Sequence, residues 1–166
     1  QKIAIKFFTW LTLVLCDKVI TLSEREKHFA LPWPFVQKKL TVIPNGISTI
    51  SFKEKGVARK IIFEKAGIET IAESYVCFGT IAELHKNKNL SFAIDTLKDF
   101  PHVYYFILGE GEERDALQKQ IKEAGLEKRV FLLGHQTNAG ALLKAFDFFL
   151  LPSKKGIGKR LHWHKF

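Results

Sequence analysis

The residues with chemistry to offer sit just past short apolar runs. Glu83, Lys86 and Lys88 follow Tyr75–Ile81, and Gly109, Glu110 and Gly111 follow Val103–Leu108. Gly134 and His135 follow Arg129–Leu133, and Ser153 follows Phe148–Leu151. A lysine in such a loop is a cation for an anionic ligand, or an ordinary solvated lysine. A glycine pair is a weak sign of a phosphate loop, or a tight strand-to-helix turn. The histidines show no metal-ligand spacing and neither do Cys16 and Cys77, so no metal or other cofactor is expected. Both thiols lie in apolar runs and are expected to be buried and reduced.

These loops can share a site only if the runs before them form one sheet. Tyr75–Ile81, Val103–Leu108 and Phe148–Leu151 are continuous apolar stretches, as strands buried on both faces require. Leu90, Ala93, Ile94 and Leu97 fall at helical spacing, and Leu117, Ile121 and Ala124 line one face of a second helix with Gly125 as its C-cap. Asn138 is placed to cap a short helix through Ala141, Leu142, Ala145 and Phe146. The β-α-β-α-β-α-β order predicts an α/β fold, a Rossmann-like parallel sheet with right-handed crossovers. Ligands of such sheets bind beyond the carboxyl ends of the strands, where the candidate residues fall.

The first part reads differently. Gln1–Leu15 is predicted helical, and its apolar run Phe7–Cys16, amphipathic or buried, is far short of the ~20 residues that span a bilayer. Asp17–Thr21 is a predicted strand, Ser23 an N-cap for a helix through Phe29, and Leu40–Ile43 another strand. Asn45 and Gly46 form a turn, and Arg59–Ala66 a helix.

At 166 residues the chain has the length of roughly one domain. Its net charge of +9 is unevenly spread. Residues 1–60 hold 11 Lys and Arg against 4 Asp and Glu, residues 61–153 hold 10 against 13, and residues 154–166 hold 5 against none. The mildly acidic middle, and the lack of interleaved aromatic and basic residues, argue against a nucleic-acid partner. The positive ends suit anionic substrates or peripheral contact with an anionic membrane surface.

Six segments together resemble the family-4 glycosyltransferases of GT-B fold: DKVITLS (17–23), VIPNGI (42–47), FGTIAELHKNKNL (78–90), LGEGEERDAL (108–117), LEKRVFLLG (126–134) and AFDFFLLPS (145–153). Each is weak alone; their order and spacing carry the resemblance. It implies a retaining transferase that moves a sugar from a UDP- or GDP-sugar donor to a carbohydrate or lipid-linked acceptor. The cytoplasm, or the inner face of the plasma membrane, is the implied location, and surface polysaccharide or glycolipid the implied product. Residues 1–50 would be the end of the acceptor domain and the junction, with Asn45 and Gly46 as hinge. Residues 51–74 would be a linker and helix, 75–153 an incomplete donor domain, and 154–166 a basic tail.

By the same resemblance, Lys88 matches the family lysine that contacts the donor diphosphate, with Lys86 as its competitor. Glu83 stands where an Arg is commoner and is expected to face Lys88 or orient the loop. Gly109, Glu110 and Gly111 would lie at the donor side of the cleft, Gly134 and His135 at the nucleobase, and Ser153 at the donor end of the last strand. Ser48 replaces a family Asp. Two family glutamates follow the Pro-Ser pair, yet no acidic residue follows Asp147 here. A frame shift at Lys154-Lys155 would explain the tail, and the chain alone is expected to be inactive and poorly soluble. Two alternatives are a GT-B sugar-nucleotide epimerase and a non-catalytic basic binding module.

Overall fold

A computed structural model describes residues 2–46, 49–70, 72, 74–153 and 162–165, the side chains of 2 and 162–165 excepted. Ser48, and the stretch directly after Ser153 where the family glutamates would fall, lie outside the described residues. The chain divides into two compact units, Gln1–Thr49 and Ile50–Phe166.

The first unit holds α1 (Lys2–Leu15), β1 (Val19–Thr21), α2 (Glu24–Ala30) and β2 (Leu40–Val42). β1 and β2 pair in parallel, Val19 opposite Leu40. Ser23 caps α2 as its sequence position predicts, its hydroxyl accepting from the Glu26 N–H at 3.2 Å. Lys39 closes the other helix: its ammonium donates to the carbonyls of Val14 and Cys16, two of the acceptors left open at a helix end. Cys16 is exposed, not buried as its apolar neighbours suggested. It stands one residue past α1, where the apolar run no longer has a helix face to be buried on.

The second unit holds α3 (Lys55–Ala66), β3 (Val76–Ile81), α4 (Leu90–Thr96), β4 (Val103–Leu108), α5 (Arg114–Glu123), β5 (Val130–Leu132), β6 (Phe148–Leu151) and β7 (His162–Lys165). The strand order is β5-β4-β3-β6-β7. The first four strands are parallel, as predicted, while β7 runs antiparallel beside β6, a strand that nothing in the basic tail signals.

Alternation along β4 explains its unbroken apolar run. Tyr105 and Ile107 join the cluster under α4 and α5, whereas Phe106 and Leu108 join the one under α3. A 3-10 helix, Ala139–Ala145, stands where a short α-helix was expected. Asn138 does not cap it through its side chain; it adopts a left-handed backbone (φ 58°), a conformation asparagine tolerates well. Gly125 does end α5, one residue after the cap, at φ 66°.

Two polar sets tie the sheet. Inside it, the Thr80 hydroxyl donates to the Leu150 carbonyl at 2.9 Å and lies 2.7 Å from the Tyr105 hydroxyl. Burial pushes the Tyr105 phenol well above its ordinary range, against the lowering effect of that hydrogen bond. At the amino end of the strands, Asp147 accepts from Lys55 Nζ at 2.8 Å, Arg59 at 2.7 Å and the Cys77 N–H at 2.9 Å. Burial works to raise its pKa, but the Lys55 and Cys77 hydrogen bonds and the charges of Arg59 and Lys55 win, leaving the carboxyl below its ordinary value.

Candidate functional site

The candidate residues of the second unit, Ser153 apart, gather at the opposite, carboxyl end of the strands, on three loops bound to one another through their backbones. The loop after β3 meets the loop after β4: Ala82 N–H donates to Leu108 O at 3.0 Å, Leu84 N–H to Glu110 O at 2.9 Å, and Glu113 N–H to Leu84 O at 3.0 Å. The loop after β4 meets that after β5 through Gly109 N–H and Gly134 O, 2.8 Å apart.

The glycines make this approach possible. A Cβ on Gly109 would stand 1.9 Å from the Ala82 carbonyl oxygen, and one on Gly111 2.5 Å from that of Leu84. Gly109 also sits at φ 148°, where side chains are strained. The glycine pair therefore acts by letting backbones meet, and the Gly109 N–H already has a protein partner. A Cβ on Gly134 would lie 2.9 Å from Glu110 Oε1. That carboxylate accepts from Arg114 at 2.8 Å, and Arg114 reaches on to the Leu132 carbonyl at 3.3 Å.

Lys86 and Lys88 are carried on a 3-10 turn, Lys86–Lys88, closed by the bond from Lys88 N–H to His85 O. Asn89 follows in the left-handed region (φ 55°) and starts α4. Lys86 is exposed and Lys88 half-buried, and among the described residues neither forms an ion pair. The expected meeting of Glu83 with Lys88 is not an ion pair, for among the described residues the exposed Glu83 side chain makes none.

His135 is exposed and lines a cleft of about 420 Å³ together with Lys53, Lys65, Gln136 and Asn138. Ser153 is half-buried, just past β6. Asn45 and Gly46 lie in the first unit, exposed and without regular structure, between β2 and the boundary of the units.

Sequence reading missed two residues that shape the rim. His85 Nδ1 accepts from the Asn87 N–H at 3.2 Å, and its Nε2 faces Glu112 Oε1 at 3.5 Å. A side-chain acceptor two residues before an N–H is the pattern of an Asx turn, so a weak signal was present. Arg114 gave none, because nothing in its spacing indicates a strand-end carbonyl 18 positions away. Among the described residues no three His, Cys, Asp or Glu side chains converge as metal ligands would, and no helix is long and apolar enough to cross a membrane.

Residues 62–158 match the profile of the family described as Glycosyl transferases group 1. The chain is 34% identical over 89 residues to the lipopolysaccharide core biosynthesis glycosyltransferase LpsD of Rhizobium meliloti, covering 54% of this chain and 26% of that protein. It is 27% identical over 143 residues to the O-antigen biosynthesis glycosyltransferase WclY of Escherichia coli, covering 86% of this chain and 38% of that one. Among solved structures, Anabaena HepE in complex with UDP superposes with a TM-score of 0.67 at 24% identity, over 83% of this chain and 38% of HepE. The chain thus spans about a quarter to two fifths of the length of these proteins.

Proposed function

Because the chain belongs to the glycosyl transferases group 1 family, we propose that it is the donor-binding part of a retaining glycosyltransferase that uses a UDP- or GDP-sugar. The observation that carries this reading is the Lys86–Lys88 turn: two cations without carboxylate partners among the described residues, at the carboxyl end of a parallel strand, beside the glycine loop. Departure of a nucleoside diphosphate leaves negative charge on its oxygens, and a fixed cation lowers the energy of that state. Lys88, half-buried and therefore better held, makes the diphosphate contact, with Lys86 beside it. Gly109, Glu110 and Gly111 set the shape of the donor side. Gly134 and His135 line the nucleobase end, and Ser153 the sugar end. Glu83 orients the loop from its solvent side, and Asn45 and Gly46 serve as hinge.

HepE's complex with UDP supports the nucleotide class. The lipopolysaccharide and O-antigen relatives support a carbohydrate or lipid-linked acceptor, met at the inner face of the plasma membrane in surface polysaccharide or glycolipid synthesis. With no acidic residue after Asp147 to face the sugar, these 166 residues bind donor without transferring it.

Calorimetry with UDP, GDP, UDP-glucose and single-stranded RNA tests the proposal. UDP or GDP binding that weakens about tenfold or more in Lys88→Ala is expected, the scale of one charge-assisted hydrogen bond. Binding of RNA and of no nucleoside diphosphate would overturn it. Transfer of sugar by this chain alone would refute the claim of inactivity.

A further inference from the structure

We propose that His85 is a positioning residue for the donor diphosphate, its neutral ring fixing the turn that presents Lys88. This inference rests on the reading of Lys88 as the diphosphate contact. The geometry dictates the tautomer. Nδ1 accepts the Asn87 N–H, so the ring proton sits on Nε2, the nitrogen that faces Glu112. One imidazole therefore joins two loops: it caps the lysine turn from within and points its N–H at the loop after β4. The turn is short, three residues, and two backbone bonds close it, Lys88 N–H to His85 O at 2.8 Å and Asn89 N–H to Lys86 O at 3.2 Å. Neither reaches the Asn87 N–H between them, and the His85 side chain supplies that hold. Removing it leaves the Asn87 N–H to solvent and the Lys88 stem free to rotate, and poorly held cations lose much of their advantage for a diphosphate.

UDP titrations at one pH on wild type, Lys88→Ala, His85→Ala and His85→Asn test this. Expected is a roughly tenfold loss of affinity in His85→Ala, with recovery in His85→Asn, whose carbonyl can accept the same N–H. If Lys88→Ala loses UDP while His85→Ala binds like wild type, the inference falls and the donor reading stands. Failure of His85→Asn to recover also overturns it. If wild type binds no UDP, both fall. Amide exchange at Asn87 reads the cap without ligand: faster exchange in His85→Ala is expected, and unchanged exchange overturns the cap.

Discussion

The two ends of the parallel sheet handle charge in opposite ways. At the amino end, Asp147, Lys55 and Arg59 neutralise one another and bind α3 to the strand edge, with a backbone N–H included. At the carboxyl end, the backbones hold one another, and Lys86 and Lys88 remain outside every ion pair of the described residues. A side-chain network is a good fastener but leaves no charge available for a ligand. A rim closed by backbone bonds can keep its cations free, because its own order does not depend on them. The carboxyl end uses side chains too, Arg114 reaching Glu110 and the Leu132 carbonyl, but it leaves the two turn lysines out of those contacts.

Substitutions can break that contrast. Gly109→Ala should be the most damaging, at roughly 3 kcal/mol or more, since it combines an unfavourable backbone angle with a Cβ placed against the Ala82 carbonyl. An unchanged urea midpoint would show that the loops do not meet as described. Asp147→Asn should cost roughly 1–3 kcal/mol near neutral pH, the scale of hydrogen bonds to a charged group, yet leave UDP affinity unaltered. Because its folded pKa is depressed, the Asp147 carboxylate contributes stability above its unfolded pKa, and that contribution is lost as pH falls through the folded value. The variant's stability should therefore vary less with pH across that acidic window, as paired melts would reveal.

Smaller still, Lys88→Ala should move the melting midpoint by no more than ~0.5 kcal/mol in stability while weakening donor binding. A large loss of stability would mean that the turn lysines fasten the rim after all. Last, alkylation should mark Cys16 quickly and Cys77 slowly. Burial pushes the Cys77 thiol up to about 11, Asp147 adding to the effect and Arg59 and Lys55 opposing it. Equal labelling by mass spectrometry would contradict the burial.

The strands were legible because burial on two faces demands unbroken apolar runs, and Val103–Leu108 carries one. Helices α4 and α5 were legible through their spacing. The Asp147 network was not, since its partners lie 70 to 92 residues away and nothing local marks an aspartate as an anchor. Asn138 misled because asparagine serves equally as a helix cap and as a left-handed residue, and only the neighbouring chain decides. Gly109 and Gly111 were legible as turn residues, but their purpose is a close approach to residues 82–84, which spacing cannot express. The pairing of Glu83 with Lys88 failed because sequence proximity says nothing of the turn between them.

The spaces left by Gly109, Gly111 and Gly134 are already occupied, by two carbonyls and a carboxylate. The ground under these loops is thus fixed, while the side chains at 83, 86, 88 and 135 form no ion pair among the described residues. If the rim holds the donor as proposed, exchange of those tips would change what it recognises without asking the chain to fold differently.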